Sequence, residues 1–285
     1  MSFIRSWLVA ALLAVVAAHA AAATGSSTAS VYLEELTWTE LRDAIAAGKT
    51  TVIVPVGGTE QSGPHIALGK HNVRARVLSG RIAQGLGNAL VAPVIAYVPE
   101  GSIDPPAAHM RFPGTISIPE SAFEATLEAA ARSFRRAGFR DIVLIGDHGG
   151  YQTDLAKVAA KLDREWAGSQ VRVHAIEEYY RAADREFAAV LKKQGLSDAE
   201  IGKHAGAADT SLALAVDAQL VRSARLNDAA AAGAAEGVSG DPRHASAALG
   251  NAGVDLIVAR PRDAIAREVA RRCRRGVRSA PAALT

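Results

Sequence analysis

The stretch Thr51-Val-Ile-Val-Pro-Val-Gly-Gly-Thr-Glu60 decides the fold. Residues 51–56 form a short run of mostly β-branched apolar residues, which predicts a buried strand. Glycines then break the run, and the chain enters a polar segment, residues 57–71, rich in Gly, Pro and His. A buried strand that empties into a polar loop suits a parallel sheet, whose functional groups gather at the carboxyl ends of its strands.

Working outward, residues 39–47 read as a helix before this strand, 72–85 as a helix after it, and 89–97 as a second strand. A long irregular stretch, 99–113, leads to a short strand at 115–118. Pro119-Glu120-Ser121 opens a helix that runs to Ala137, with Ala, Phe and Leu on one face and Gly138 as its stop. Strands at 141–145 and 171–176 flank a helix at 152–166, and 209–220 is again helical. Residues 254–258 fit either a strand or the start of the last helix. The Ala-rich segment 228–237 reads as a helix end or loop, and 263–275 as a basic helix with a solvated face. Strands alternating with helices place the chain in the α/β class with a largely parallel sheet.

With 285 residues, 49% of them hydrophobic and 21% charged, the chain has the composition of a folded globular protein. The formal net charge of +3 is mild and spread along the chain, so nothing in it argues for nucleic acid. Arg5 precedes an apolar run, residues 7–18, that ends in small residues, the pattern of a secretory signal peptide. The run is shorter than the ~20 residues a spanning helix needs. The expected organisation is a signal over 1–23, a flexible leader over 24–30 and one domain over 31–285, secreted or periplasmic and free of the membrane after cleavage. The single cysteine, Cys273, excludes an intramolecular disulfide, and its arginine-rich neighbourhood offers no partner for nucleophilic catalysis.

Two histidines fall in loops directly after predicted strands: His71 at the end of the loop that contains Glu60, and His148 in Gly146-Asp-His-Gly-Gly150. Loops at the carboxyl edge of a parallel sheet converge, so Glu60, His71 and His148 can offer one carboxylate and two imidazoles to zinc, manganese or iron. His65 either steadies its loop or touches substrate, and His174 and His244 read as structural.

Five ordered segments resemble those of the creatininase family. They are Pro55-Val-Gly-Gly-Thr-Glu-Gln-Ser-Gly-Pro-His65, His109-Met-Arg-Phe-Pro-Gly-Thr-Ile-Ser117, Ile145-Gly-Asp-His-Gly-Gly150, His204-Ala-Gly-Ala-Ala-Asp-Thr-Ser211 and Gly237-Val-Ser-Gly-Asp-Pro242. The resemblance implies a three-layer α/β sandwich, a metal centre that opens cyclic amides or formamides, a small-molecule substrate and a homo-oligomer. By position, Glu60, His71 and His148 fall on ligands of the family's first metal and His204 on its catalytic histidine. Ser62 stands where the family has a histidine, His71 where it has a bridging aspartate, and Gly150 where creatininase has a glutamate.

Two close divalent ions repel and need carboxylates between them, so these replacements predict one ion, zinc first, with manganese or iron as alternatives. The catalytic set expected from the resemblance is His204, Glu60 and Asp209, with His204 giving a proton to the leaving nitrogen. Asp209 fits either a carboxylate acting through water or an ordinary helix start. Asp147 is placed to orient a ligand, and His65, His109 and Tyr151 are the expected substrate contacts. Two functions follow: a one-metal hydrolase of a small cyclic amide or formamide, or a catalytically weakened relative that binds a ligand or metal without turnover.

Overall fold

The computed structural model describes residues 30–278; the expected signal peptide, nearly all of the expected leader and the Cys273 side chain lie outside the described residues. Four parallel strands, β1 (Thr51–Val56), β2 (Ala89–Val91), β3 (Asp141–Gly146) and β4 (Arg172–Ala175), form one sheet in the order β2-β1-β3-β4. The register sets Thr51 against both Ala89 and Asp141. The principal helices are α1 (Trp38–Ala46), α2 (Lys70–Leu86), α3 (Glu120–Ala137), α4 (Gln152–Glu165), α5 (Phe187–Lys193), α6 (Ala207–Val216) and α7 (Ala247–Arg278).

Successive residues of a strand point to opposite faces, and the apolar run of β1 therefore feeds two cores. Val52, Val54 and Val56 join Ile142 and Leu144 beneath Phe123 and Leu127 of α3 and Leu155 and Leu162 of α4. Ile53, Val143 and Ile145 face the other way, onto Leu78 and Ile82 of α2, Phe187, Leu212 and Ile257. Helices thus cover both faces, as a parallel sheet requires, and the result is a three-layer α/β sandwich.

Local chemistry sets the element ends. The Thr37 hydroxyl accepts from the Glu40 N–H at 3.3 Å while the Glu40 carboxylate accepts from the Thr37 N–H at 2.7 Å, a reciprocal cap on α1. Phe123, Leu127 and Ala131 recur every four residues as the buried stripe of α3, which stops at Gly138 with φ +111°. The expected strand over 89–97 ends at Val91; the Ala92 N–H still donates to the Ile53 carbonyl at 2.8 Å, and pairing then slips by a residue before the Ile95 N–H donates to the Pro55 carbonyl at 3.0 Å. Likewise 115–118 makes a single bridge, Val98 to Ser117, and is not a strand. Residues 254–258 lie inside α7, and the helix expected over 209–220 closes at Val216 before a 3-10 turn. Among the described residues no helix is long and apolar enough to cross a membrane.

Leu127 is fully buried between α3 and the sheet. Replacing it by alanine is expected to lower unfolding free energy by about 2–5 kcal/mol. Arg136→Ala at the end of the same helix should change it by no more than about 0.5 kcal/mol. Urea titration of both variants checks the pair; equal losses would refute this placement of the core.

Candidate metal centre

Three neighbouring strands deliver the site to the carboxyl edge of the sheet. The loop after β1 carries Glu60, and β3 is followed at once by Asp147 and His148. Beyond β2, the bridges at Ile95 and Val98 lead the chain along the same edge to Glu100. The fit is close at Gly58, whose φ is +148°: a Cβ there would stand 2.6 Å from Glu100 Oε1.

The two oxygens of Glu60 live in different surroundings. Oε1 accepts a hydrogen bond from His71 Nε2 at 2.7 Å and has Lys70 Nζ at 3.6 Å and His204 Nδ1 at 3.7 Å. Oε2 has no hydrogen-bond partner among the described residues, and neither has either oxygen of Glu100. His148 Nε2 lies 3.7 Å from Glu60 Oε2 and 3.7 Å from Glu100 Oε2. Glu60 and Glu100 are only 0% and 7% exposed, so these bare oxygens are also cut off from water. A buried carboxylate oxygen with no donor is costly; in the ion-free chain the Glu100 proton, shared with Glu60, can meet this cost, and a cation can replace it.

Electrostatics sharpen the contrast. Burial works to raise the Glu60 carboxyl, but the His71 hydrogen bond and the charges of His71 and Lys70 hold it below the usual carboxylate range. Burial and the neighbouring Glu60 charge push Glu100 up to about 8, so it carries a proton at neutral pH until a cation displaces it. Burial, helped by the charges of His71 and Lys70, pushes His148 down to about 4 and leaves a neutral imidazole, the form that ligates metal. One ligand atom each from Glu60, Glu100 and His148 lies within 4.8 Å of the others, and so does a second group, Glu60, His109 and His204. The first group, with two carboxylates and an imidazole, fits a divalent ion. Ligation through His148 Nε2 places the ring proton on Nδ1, so the 3.2 Å contact from the Gly150 N–H to that atom must open by a small rotation.

The expected trio of Glu60, His71 and His148 is therefore divided. Both ring nitrogens of His71 are taken, Nε2 by Glu60 at 2.7 Å and Nδ1 by Asp147 Oδ2 at 2.6 Å. Burial and Lys70 oppose a charge on this ring, yet its bonds to Asp147 and Glu60 prevail and raise it. In this arrangement both His71 nitrogens serve carboxylates, which favours the imidazolium in the ion-free chain. Asp147 does act on a site residue, as expected, but the residue is His71; it also accepts from Arg74 Nε at 2.9 Å and Tyr179 Oη at 2.9 Å.

Asp209 reaches the cavity without any bare oxygen. It accepts from Lys70 Nζ at 2.7 Å, Arg74 Nη1 at 2.8 Å and the Ala205 N–H at 2.9 Å. Burial opposes its ionisation, but Lys70 and Arg74 hold it well below the carboxylate range. Asp209 is thus a counter-charge, a role neither expected reading gave it.

His204 and His109 stack at 4.2 Å on the cavity wall. The His204 Nε2–H donates to the Gln61 carbonyl at 2.8 Å, which leaves Nδ1 bare. Burial and Lys70 push His204 down to about 4. Ala108 and Ala205, each beside one of these histidines, adopt left-handed φ of +49° and +56°, local strain that aims the two rings.

Two expected substrate contacts are corrected. His65 is fully buried, bonds Thr210 Oγ1 through Nε2 at 3.0 Å, and pins its loop to α6. The Tyr151 hydroxyl donates to the Gly57 carbonyl at 2.5 Å and accepts from the His148 N–H at 3.1 Å. Its ring lies in the core against Phe123, because the turn into α4 swings it inward.

A cavity of about 310 Å³ opens on this cluster, lined by Lys70, His71, His109, His148 and His204 among others. A second, of about 650 Å³, lies along Glu100, Ser117, Ser121 and His148. Glu100, Lys70 and Arg74 escape a reading of sequence alone. Glu100 sits in an irregular stretch with no motif, and its one signal is its place after a strand of the same sheet.

Among known proteins, creatinine amidohydrolase of Pseudomonas putida is 30% identical over 204 residues, 70% of this chain and 76% of that protein. The mycofactocin precursor peptide peptidase of Mycolicibacterium smegmatis is 38% identical over 119 residues, 40% of this chain and 45% of that protein. A solved mutant creatininase of the "Zn-Zn type" superposes with TM-score 0.70 at 28% identity, covering 84% of this chain and 98% of that one. A structure titled "Creatininase Mn" gives 0.69 at 28% identity, covering 84% and 99%. The creatininase family model, described as creatinine amidohydrolase, matches residues 34–265. That match spans the sheet, the bare carboxylates and the histidine cluster, and the chain belongs to the creatininase family.

Proposed function

We propose that the protein is a metal-dependent hydrolase of an amide C–N bond in a small cyclic amide or formamide, working with one divalent ion held by Glu60, Glu100 and His148. The observation that carries this reading is the pair of buried carboxyl groups, Glu60 and Glu100, with three oxygens that no other described group bonds, facing a neutral imidazole. Zinc or manganese suits this oxygen and nitrogen donor set, and both occur in the titles of the creatininase structures similar to this chain. When bound, such an ion polarises a carbonyl and makes water nucleophilic near neutral pH. Asp147 and Arg74 fix His71, and His71 fixes the Glu60 carboxylate so that Oε2 stays presented. His204, with Nδ1 bare, takes a proton from the attacking water and returns it to the leaving nitrogen. A cavity of about 310 Å³ is at the small end of ligand pockets, which favours a compact substrate.

The 650 Å³ cavity on the far side of His148 favours a second reading, hydrolysis of a short peptide, since a longer substrate has room on either side of that residue. Export to the periplasm belongs to the proposal as well, supported by the basic start and short apolar run of residues 1–23.

The purified chain is expected to hold a divalent ion and to hydrolyse members of a panel of lactams, formamides and short peptides. Glu100→Gln and His148→Ala should each weaken ion binding by about tenfold or more. His204→Ala should keep the ion and lose about 10²–10⁴-fold in kcat. An ion-free, inert wild-type chain across the whole panel would sink the reading.

Ion uptake has its own pH signature. At pH 7 the folded, ion-free chain carries a proton on Glu100, which an entering cation must expel. About one proton should therefore leave per ion bound at pH 7, and affinity should rise with pH until about 8 and then level off. Calorimetry in buffers of different ionisation enthalpy measures the release; uptake without it would remove Glu100 from the ligand set.

A further inference from the structure

We propose that Lys70 is a built-in cation that takes the place of a second metal ion beside Glu60. The inference rests on the one-ion reading above and concerns the other side of the same carboxylate. Glu60, His109 and His204 offer ligand atoms within 4.8 Å of one another, so donors for a second ion are present. The space they serve already holds positive charge. Lys70 Nζ stands 3.6 Å from Glu60 Oε1 and 2.7 Å from Asp209 Oδ2, and its side chain is 0% exposed.

Lys70 holds the two carboxylates that a bridging ion would need. Asp209 Oδ1 is bound by Arg74 Nη1 at 2.8 Å, so neither of its oxygens is open to a metal. Glu60 Oε1 is further occupied by the His71 Nε2–H. On the Oε1 side a divalent ion would find His204 and a carboxylate oxygen already satisfied, against the Lys70 ammonium and the Arg74 guanidinium, while His109 Nε2 faces Oε2 at 3.7 Å. In a poorly solvated site, repulsion from these two cations outweighs what one neutral imidazole gives back. On the Oε2 side the balance reverses, because Glu60 and Glu100 present bare oxygens and no lysine or arginine reaches them. The asymmetry fixes one ion on one side and one ammonium on the other. Lys70 also borders the small cavity.

The test is a count of ions. Manganese is titrated into the full chain and read by elemental analysis and by electron paramagnetic resonance, which separates isolated ions from an exchange-coupled pair. One isolated ion per wild-type chain at saturation supports the proposal, and a coupled pair overturns it. Lys70→Ala should take up two ions with a coupled signal, and Lys70→Arg should stay at one. Folded Lys70→Ala that stays at one overturns the proposal. If Lys70→Ala does not fold, Lys70→Met serves the same comparison. Absence of any ion in the wild type would overturn the one-ion reading itself, and is distinguished from failure of the lysine role by the pair that the latter produces.

Discussion

The site turns on the unequal treatment of the two oxygens of one buried carboxylate. Glu60 Oε1 is saturated by His71 with Lys70 close behind, while Oε2 is bare and faces His148. A carboxylate freely exposed to water has no such sides. Here the fully buried position makes each oxygen answer to its own neighbours, and those come from different strands and helices. His71 and Lys70 belong to the first turn of α2, whereas Glu100 and His148 arrive from the chain beyond β2 and β3. The placement of α2 against the sheet therefore decides what kind of metal centre the family's loop becomes in this chain.

Around that carboxylate the scaffold is held by groups that never enter the cavity's chemistry. Tyr151 ties the backbone of β1 to the backbone of His148, and Asp147 gathers His71, Arg74 and Tyr179. Such a network costs much if left incomplete and gives rigidity when complete. It explains why the donor atoms converge to within 4.8 Å in the folded chain itself.

Much of this was legible in the sequence, and the limits were physical. The run 51–56 declared a buried strand because it is apolar and β-branched, and its bounds match β1 residue for residue. Glu60 and His148 were legible because they stand in motifs immediately after strands. Tyr151 was misread because adjacency to Gly150 says nothing about which way a helix start turns its side chain. His71 was read from its position alone: a histidine at a ligand position looks the same whether its nitrogens face a metal or, as in the ion-free chain, two carboxylates. Glu100 and Lys70 were missed because long-range pairing, between residues 48 and 139 positions apart, leaves no mark on local pattern.

The charge count of the finished site bears on what it can select. Glu60, Asp147 and Asp209 are matched by Lys70, Arg74 and the His71 imidazolium, all within a few ångströms and all largely buried. Glu100, neutral in the ion-free chain, supplies one further negative charge against the two positive charges of a bound ion. What remains near the substrate is a small positive excess on walls of imidazole and backbone. Among the described residues the cavity's carboxylates are each paired with a cation, Asp184 only loosely with Lys203 at 3.9 Å, and the excess would favour the negative charge that gathers on a carbonyl oxygen in the proposed amide hydrolysis. Recognition of the ground state then rests on shape and on hydrogen bonds from the stacked His109–His204 pair. This balance supports the compact, neutral amide proposed as substrate.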